Sequence, residues 1–216
     1  MLYSLGSVLS FWAQLTAQAG VSSLGPGAES EIHSQDRFWR ERPALHQRIS
    51  KQRFILVSVR SQRQSDGQRL RLLGAGQVRA PQAHAWARTL DFSSLPQVSS
   101  HIVEASYSED TQRLFLHTQA FNYHARMLIQ LSFPGDLPEP RQQAMDLHIL
   151  EGVFAGMRAR LLFDPVDDKV TEVSLRGIYD YQQFPIPIFF ARFGLEVVMQ
   201  RVASRLRSYV EESYGQ

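Results

Sequence analysis

The side chains of this chain that could carry chemistry are seven histidines, seven tyrosines and a scatter of carboxylates, and their spacing limits what that chemistry can be. His33, His46, His84, His101, His117, His124 and His148 form no i, i+4 pair and no His-Glu-x-x-His arrangement, so no single element carries a zinc-type ligand set. There is no cysteine, which excludes thiol catalysis, thiolate metal sites and disulfides. Gly-x-Ser-x-Gly and P-loop motifs are absent, and Gly74-Ala75-Gly76 lacks a third glycine at the spacing of a dinucleotide loop. Asp164 to Lys169 lacks the central glycine of a calcium loop. No catalytic residue, metal ligand or cofactor is therefore expected.

Among the remaining polar groups, Asp91 reads as a residue that pins a turn. Glu104, Asp146 and Glu172 read as outward strand residues, and Asp164, Asp167 and Asp168 as part of a loop. His124 and His148 fall on outward faces. His117 alternates in step with Phe115, and both a cavity histidine and a satisfied core histidine are open at that position. Tyr123 and Tyr179 are the polar handles best placed to face an interior, where a hydroxyl must find a partner in protein, water or ligand.

The elements that would position these groups follow from periodicity. Arg53 to Arg60 and Arg69 to Arg79 read as a hairpin around Ser65-Asp66-Gly67, and Pro81 opens a short helix carrying Ala85, Trp86 and Leu90. After Pro96 a period of two persists through six strands: His101 to Tyr107, Arg113 to Ala120, Asn122 to Phe133, Arg141 to Glu151, Met157 to Phe163 and Val170 to Tyr181. Each shows one apolar set. Tyr123, Met127, Ile129 and Leu131 alternate with His124, Arg126 and Gln130, while Met145, Leu147 and Ile149 alternate with Asp146 and His148. Val173, Leu175 and Tyr179 alternate with Glu172, Ser174 and Arg176. The result is an antiparallel meander with one dry face and one wet face.

The dry face needs a cover, and the last stretch of the chain supplies one. From Leu195 to Val210 apolar residues recur at three- and four-residue steps, opposite Arg201, Arg205, Arg207 and Glu211. Just before it, Ile186, Ile188, Phe189, Phe190 and Phe193 place bulky apolar groups almost all round the helix, which requires enclosure on several sides.

Composition bounds the rest. The 216 residues are 44% hydrophobic, enough for one domain with an N-terminal extension, and the net charge is only +2. No lysine/arginine block forms a continuous footprint, so no nucleic-acid partner is expected. Arginines cluster on the first hairpin (Arg60, Arg63, Arg69, Arg71, Arg79) and on the terminal helix, as a solvated face or as a means of transient contact with an anionic membrane surface. No apolar run reaches the length of a membrane span. Residues 1–19 carry no charge and end in Ala17-Gln18-Ala19, the small-x-small pattern of signal-peptide cleavage. The domain reading is a signal peptide over 1–19, a linker and N-terminal helical extension over 20–52, and one domain over 53–216. Cleavage would make the protein periplasmic or secreted, and retention cytoplasmic.

Several joints resemble those of a known family. Ala80-Pro81, Trp86, Leu90-Asp91-Phe92 and Leu95-Pro96, with Gly152, Phe154, Gly156 and Thr171 further on, resemble the START-like (SRPBCC, helix-grip) superfamily, in particular its polyketide cyclase/dehydrase and lipid transport group with the coenzyme Q-binding START domains. The aspartate run Asp167-Asp168-Lys169 stands where that group has a glycine, and Thr89 is displaced from the position its threonine usually holds. The resemblance implies an α+β fold, a curved antiparallel sheet wrapped around a long C-terminal helix with short helices after the first strands. It also implies a cavity that binds a lipid or other hydrophobic small molecule. The residues expected to line it are the apolar strand sets above with Leu161 and Phe163, and Phe189, Phe190, Phe193 and Val197 from the helix side. The alternatives are an aromatase/cyclase-like or hydrolytic enzyme using Tyr123, Tyr179 or His117 in that cavity, and a ribosome- or protein-binding module using the arginine-bearing hairpin.

Overall fold

The computed structural model describes residues 30–33, 37–65, 67–120, 123–135, 137, 141–182 and 194–215. Two short helices, α1 (Phe38–Glu41) and α2 (Pro43–Ser50), precede the hairpin β1 (Leu56–Gln64) and β2 (Gly67–Val78). A short helical stretch follows, with α3 (Gln82–Thr89), a 3-10 turn (Phe92–Ser94) and α4 (Leu95–Val98). The meander then runs β3 (Ile102–Ser108), β4 (Arg113–Ala120), β5 (Tyr123–Ser132), β6 (Gln143–Gly152), β7 (Arg158–Asp167) and β8 (Val170–Tyr181), and α5 (Leu195–Tyr214) ends the described chain.

All eight strands form one curved antiparallel sheet in the order β1-β2-β8-β7-β6-β5-β4-β3. Seven pairings are antiparallel, and six of those join strands adjacent in sequence; only β2 and β8 meet across the chain. The register puts Leu70, Leu72, Gly74, Gly76 and Val78 of β2 on the same face as Tyr179, Gly177, Leu175, Val173 and Thr171 of β8. That inner face is the one α5 lies on. At the β6 end, Gly152 holds φ +91°, and a Cβ there would sit 1.9 Å from the Arg126 carbonyl oxygen, so only glycine lets β6 turn against β5.

The outer face departs from the sequence reading, because it is wet only in part. Trp39 and Ile49 of α1 and α2 are 1% and 0% exposed and pack on Ala75, with Leu45, Phe54, Leu56 and Leu73 around them. Ile32 covers Ile178 of β8 beside them. Two carboxylates are enclosed there. Asp164 belongs to β7 rather than to a loop, since β7 continues to Asp167, and it stands directly opposite Glu172 of β8. Glu172 does point outward, yet it is buried, because the N-terminal helices lie over it. Arg37 Nη2 donates to Asp164 Oδ1 at 2.7 Å, as does Gln142 Nε2 at 2.6 Å. Trp39 Nε1 and Arg40 Nε both donate to Glu172 Oε1, at 3.2 and 3.0 Å. Burial pushes the Asp164 carboxyl above its ordinary range in spite of Arg37, Gln142 and Arg40.

Candidate ligand cavity

The inner face of the sheet is apolar by register. Leu147 pairs with Leu131 on one side and Ala159 on the other, Leu161 lies between Met145 and Leu175, and Phe163 lies opposite Val173. Apart from the strand ends, no described inner-face residue of β2 or β4 to β8 carries a formal charge. An ion placed there would lose its hydration without a counter-ion, so the face suits neutral, apolar surface.

Burial divides the expected lining residues into two groups. Leu131, Phe163, Met145, Ile129 and Ile149 are 0% to 7% exposed and act as packed core, closed on one side by Phe92 and the short helices and on the other by Trp86, Ala85 and Val210. Met127, Leu147, Leu161, Val173, Leu175 and Tyr179 share the same face and stay partly exposed. Those six can meet a ligand without first displacing core atoms.

Helix α5 explains the division, because it seats on the sheet at two separate places. Its first turns put Leu195 and Met199 against Leu70, Leu72, Tyr179 and Tyr181. Its last turns put Tyr209 and Val210 against Val78, Ala80, Ala85 and Phe163. Between these seats β2 presents Gly74 on the inner face. Among the described residues, a Cβ built on Gly74 would have only Leu175 Cβ at 3.4 Å and the Leu56 carbonyl oxygen at 3.8 Å within 4 Å, both belonging to the sheet, so no atom of α5 comes that close. Val198, Val202 and Leu206, on the middle turns, are likewise only partly buried. Among the described residues, the middle turns of α5 therefore stand more than 4 Å clear of a Cβ built on Gly74.

Side-chain hydrogen bonds hold both seats. Glu196 Oε1 accepts the Val59 backbone N–H of edge strand β1 at 2.7 Å. At the other end, Tyr209 donates its hydroxyl to Asp91 Oδ2 at 2.9 Å, and His84 Nε2 lies 3.1 Å from the Val210 carbonyl and 3.0 Å from Ser213 Oγ. Asp91 pins its turn, bonded by Ser93 Oγ at 2.7 Å, and Ser93 and Tyr209 hold its carboxyl below the usual range. Arg207 and Glu211, expected on the solvated side of the helix, are instead engaged. Arg207 Nη1 donates to the Arg53 carbonyl at 2.6 Å, and Glu211 accepts from Arg53 and from the Arg79 backbone N–H. Arg201 and Arg205 are exposed.

Near the start of α5, aromatic groups gather on the inner face. Tyr179 stacks on Tyr181 at 5.6 Å and meets Phe154 edge-on at 5.6 Å. Burial, and after it Tyr181, raises the Tyr179 hydroxyl above its ordinary value, so it is a neutral phenol at physiological pH. The Tyr181 hydroxyl bonds Ser61 Oγ at 2.8 Å and Gln68 Oε1 at 3.0 Å.

The structure separates the sequence-predicted residues as follows. The strand residues Met127, Ile129, Leu131, Met145, Leu147, Ile149, Leu161, Phe163, Val173, Leu175 and Tyr179 share one face. Val197 is partly buried on the side of α5 that carries Arg201, about 200° round the helix from Leu195. Phe189, Phe190 and Phe193 lie outside the described residues, as does the side chain of Tyr123. His117, left open between the two faces by the sequence, lies on the outer face with Phe115, because Leu114 and Leu116 take the inner positions of β4, so the enzyme alternative loses it as a cavity group. Sequence reasoning missed Gly74, Met157 and Tyr181. Gly74 was readable from the alternation Leu70, Leu72, Gly74, Gly76, Val78, and Met157 was not, because it sits in an irregular turn.

No family model matches this chain, and no curated protein matches it significantly. Solved structures do. A START superfamily protein from Mycobacterium smegmatis superposes with TM-score 0.53 at 16% identity, covering 66% of this chain and 97% of its own. The chain has the START-like, helix-grip fold. Another START-like neighbour is the STAR-related lipid transfer protein (fragment 25-204) from Xanthomonas axonopodis, with TM-score 0.53, 17% identity and coverage of 72% and 93%. A third is the Zhui aromatase/cyclase from Streptomyces sp. R1128, with TM-score 0.50, 15% identity and coverage of 68% and 94%.

Proposed function

We propose that this START-like chain binds a lipid or another mostly apolar small molecule between the inner face of its sheet and α5. The observation that carries the reading is the span of α5 over Gly74, flanked by inner-face side chains that are apolar, uncharged and only partly buried. Affinity would come mainly from apolar area removed from water, at about 25 cal/mol per Å². The lipid transfer protein and the aromatase/cyclase among the neighbours support a hydrophobic ligand without naming it. Loading from an anionic bilayer is part of the proposal. Arg60 and Arg63 on β1 and Arg201 and Arg205 on α5 are exposed, and each basic residue near such a surface contributes roughly 1 kcal/mol. Export is proposed on residues 1–19, and N-terminal sequencing of the native protein checks it.

The test is a filled cavity. Gly74→Phe starts from an ordinary van der Waals contact with Leu175 and directs its ring into the gap, so the variant should keep its circular dichroism spectrum and lose uptake of a fluorescent fatty acid. Native mass spectrometry of the wild type, with analysis of its organic extract, should show an apolar adduct. Equal uptake by wild type and Gly74→Phe, or a wild type that takes up no apolar probe, would sink the proposal.

A further inference from the structure

The outer face carries a pair of histidines outside the cavity. His117 and His124 are seven positions apart on adjacent strands, and the β4–β5 register, which pairs Gln119 with His124 and Arg126 with His117, makes them diagonal neighbours on one face. His117 Nε2 and His124 Nδ1 are 3.0 Å apart, with ring centroids at 5.2 Å and planes inclined by 41°. His117 is 9% exposed, which holds its ring in place, while His124 is exposed and leaves the pair open to solvent. In the metal-free protein that distance is an N–H···N hydrogen bond, one ring donating and the other accepting.

We infer that His117 and His124 form a chelating site for a divalent transition-metal ion of the Cu²⁺, Ni²⁺ or Zn²⁺ class. Imidazole nitrogens bind such ions at about 2.0–2.1 Å. Two nitrogens 3.0 Å apart at that radius subtend about a right angle at the ion, which is the relation of two adjacent ligands in tetragonal or octahedral coordination. On binding, the proton between the rings moves to the far nitrogen of the ring that carried it, so that both rings ligate in their neutral form. Glu104 faces His117 from β3 and Arg126 faces it from β5. Among the described residues no group of three or more histidines, cysteines or carboxylates could hold a metal, so water fills the remaining positions. Such a site is exchangeable and favours Cu²⁺ over Ni²⁺ and Zn²⁺. It would tie β4 to β5 near the end of their ladder.

The experiment uses the untagged full chain titrated with CuCl₂ and NiCl₂ by calorimetry, with electron paramagnetic resonance at one equivalent of Cu²⁺. The wild type should bind one ion with two imidazole nitrogens in its coordination sphere. His124→Gln should weaken that binding about a hundredfold, because the tethered second ligand is lost. His124 is exposed, so this variant keeps its fold, which its circular dichroism spectrum checks. His148→Gln, on another pair of strands, should bind as the wild type does. A Cu²⁺ spectrum with a single imidazole nitrogen, or equal affinity in wild type and His124→Gln, would overturn the assignment.

Discussion

Asp164 and Glu172 face each other across β7 and β8 with side chains 4% and 1% exposed, an arrangement two carboxylates hold only when cations meet them. Replacing Arg37 with alanine leaves Asp164 buried without its nearest cation. The expected cost is about 3 kcal/mol in urea unfolding at neutral pH. The sign of its pH dependence follows from the raised carboxyl pKa. A carboxyl whose folded pKa lies above its unfolded value lowers stability once it ionises, and losing Arg37 moves the folded value higher still. The deficit should therefore be full above the folded pKa and shrink as pH falls toward the ordinary carboxylate range. None of this was legible in the sequence. Asp164-Pro165 reads locally as a turn, and the cations that meet its buried carboxylate, Arg37 and Arg40, lie more than a hundred positions away.

At the scale of elements, α5 shows what periodicity can and cannot deliver. Its apolar stripe and length were legible, since Leu195, Val198, Val202, Leu206 and Val210 need only the helical repeat. Its two seats were not, because they depend on partners far away in sequence, the Val59 backbone of β1, His84 of α3 and Asp91. The seat at Asp91 gives a direct check. Tyr209→Phe removes the hydroxyl that bonds Asp91 and should lower stability by about 1 kcal/mol. Asp91 has a depressed carboxyl pKa, with Ser93 as the largest cause and Tyr209 next. Stability from such a group is present above its unfolded pKa and is lost as pH falls through the folded value. In Tyr209→Phe an NMR titration should show the Asp91 pKa moving up toward its ordinary value, and the stability difference from wild type should vanish in acid.

For the whole molecule, the sheet is used on both sides. Alternation told which residues of β5, β6 and β8 share a face, because period two is a local property, while the START-like reading rested on residues at the joints such as Ala80-Pro81 and Leu95-Pro96. What lies over each face is not local. The N-terminal helices occupy part of the outer face, and α5 covers the inner one. Stability and ligand capture should therefore separate by face. Trp39→Ala removes a 1%-exposed side chain from the outer cluster and should cost about 3–5 kcal/mol in unfolding experiments. Uptake of a fluorescent fatty acid by the folded fraction should be unchanged, the reverse of the pattern expected for Gly74→Phe.

The single non-sequential pairing among the described residues, β2 with β8, bears on how the chain reaches this state. Residues 68–78 meet residues 171–181, and the Tyr181 hydroxyl bonds Gln68 across 113 positions. Every other ladder closes over a short connection, so the β3–β8 meander can assemble from near neighbours, whereas the β1–β2 hairpin must close a long loop before any contact offsets its entropy. Substitutions within β4 to β7 should then slow refolding, while Leu72→Ala, on the β2 side of the β2–β8 seam, should chiefly speed unfolding.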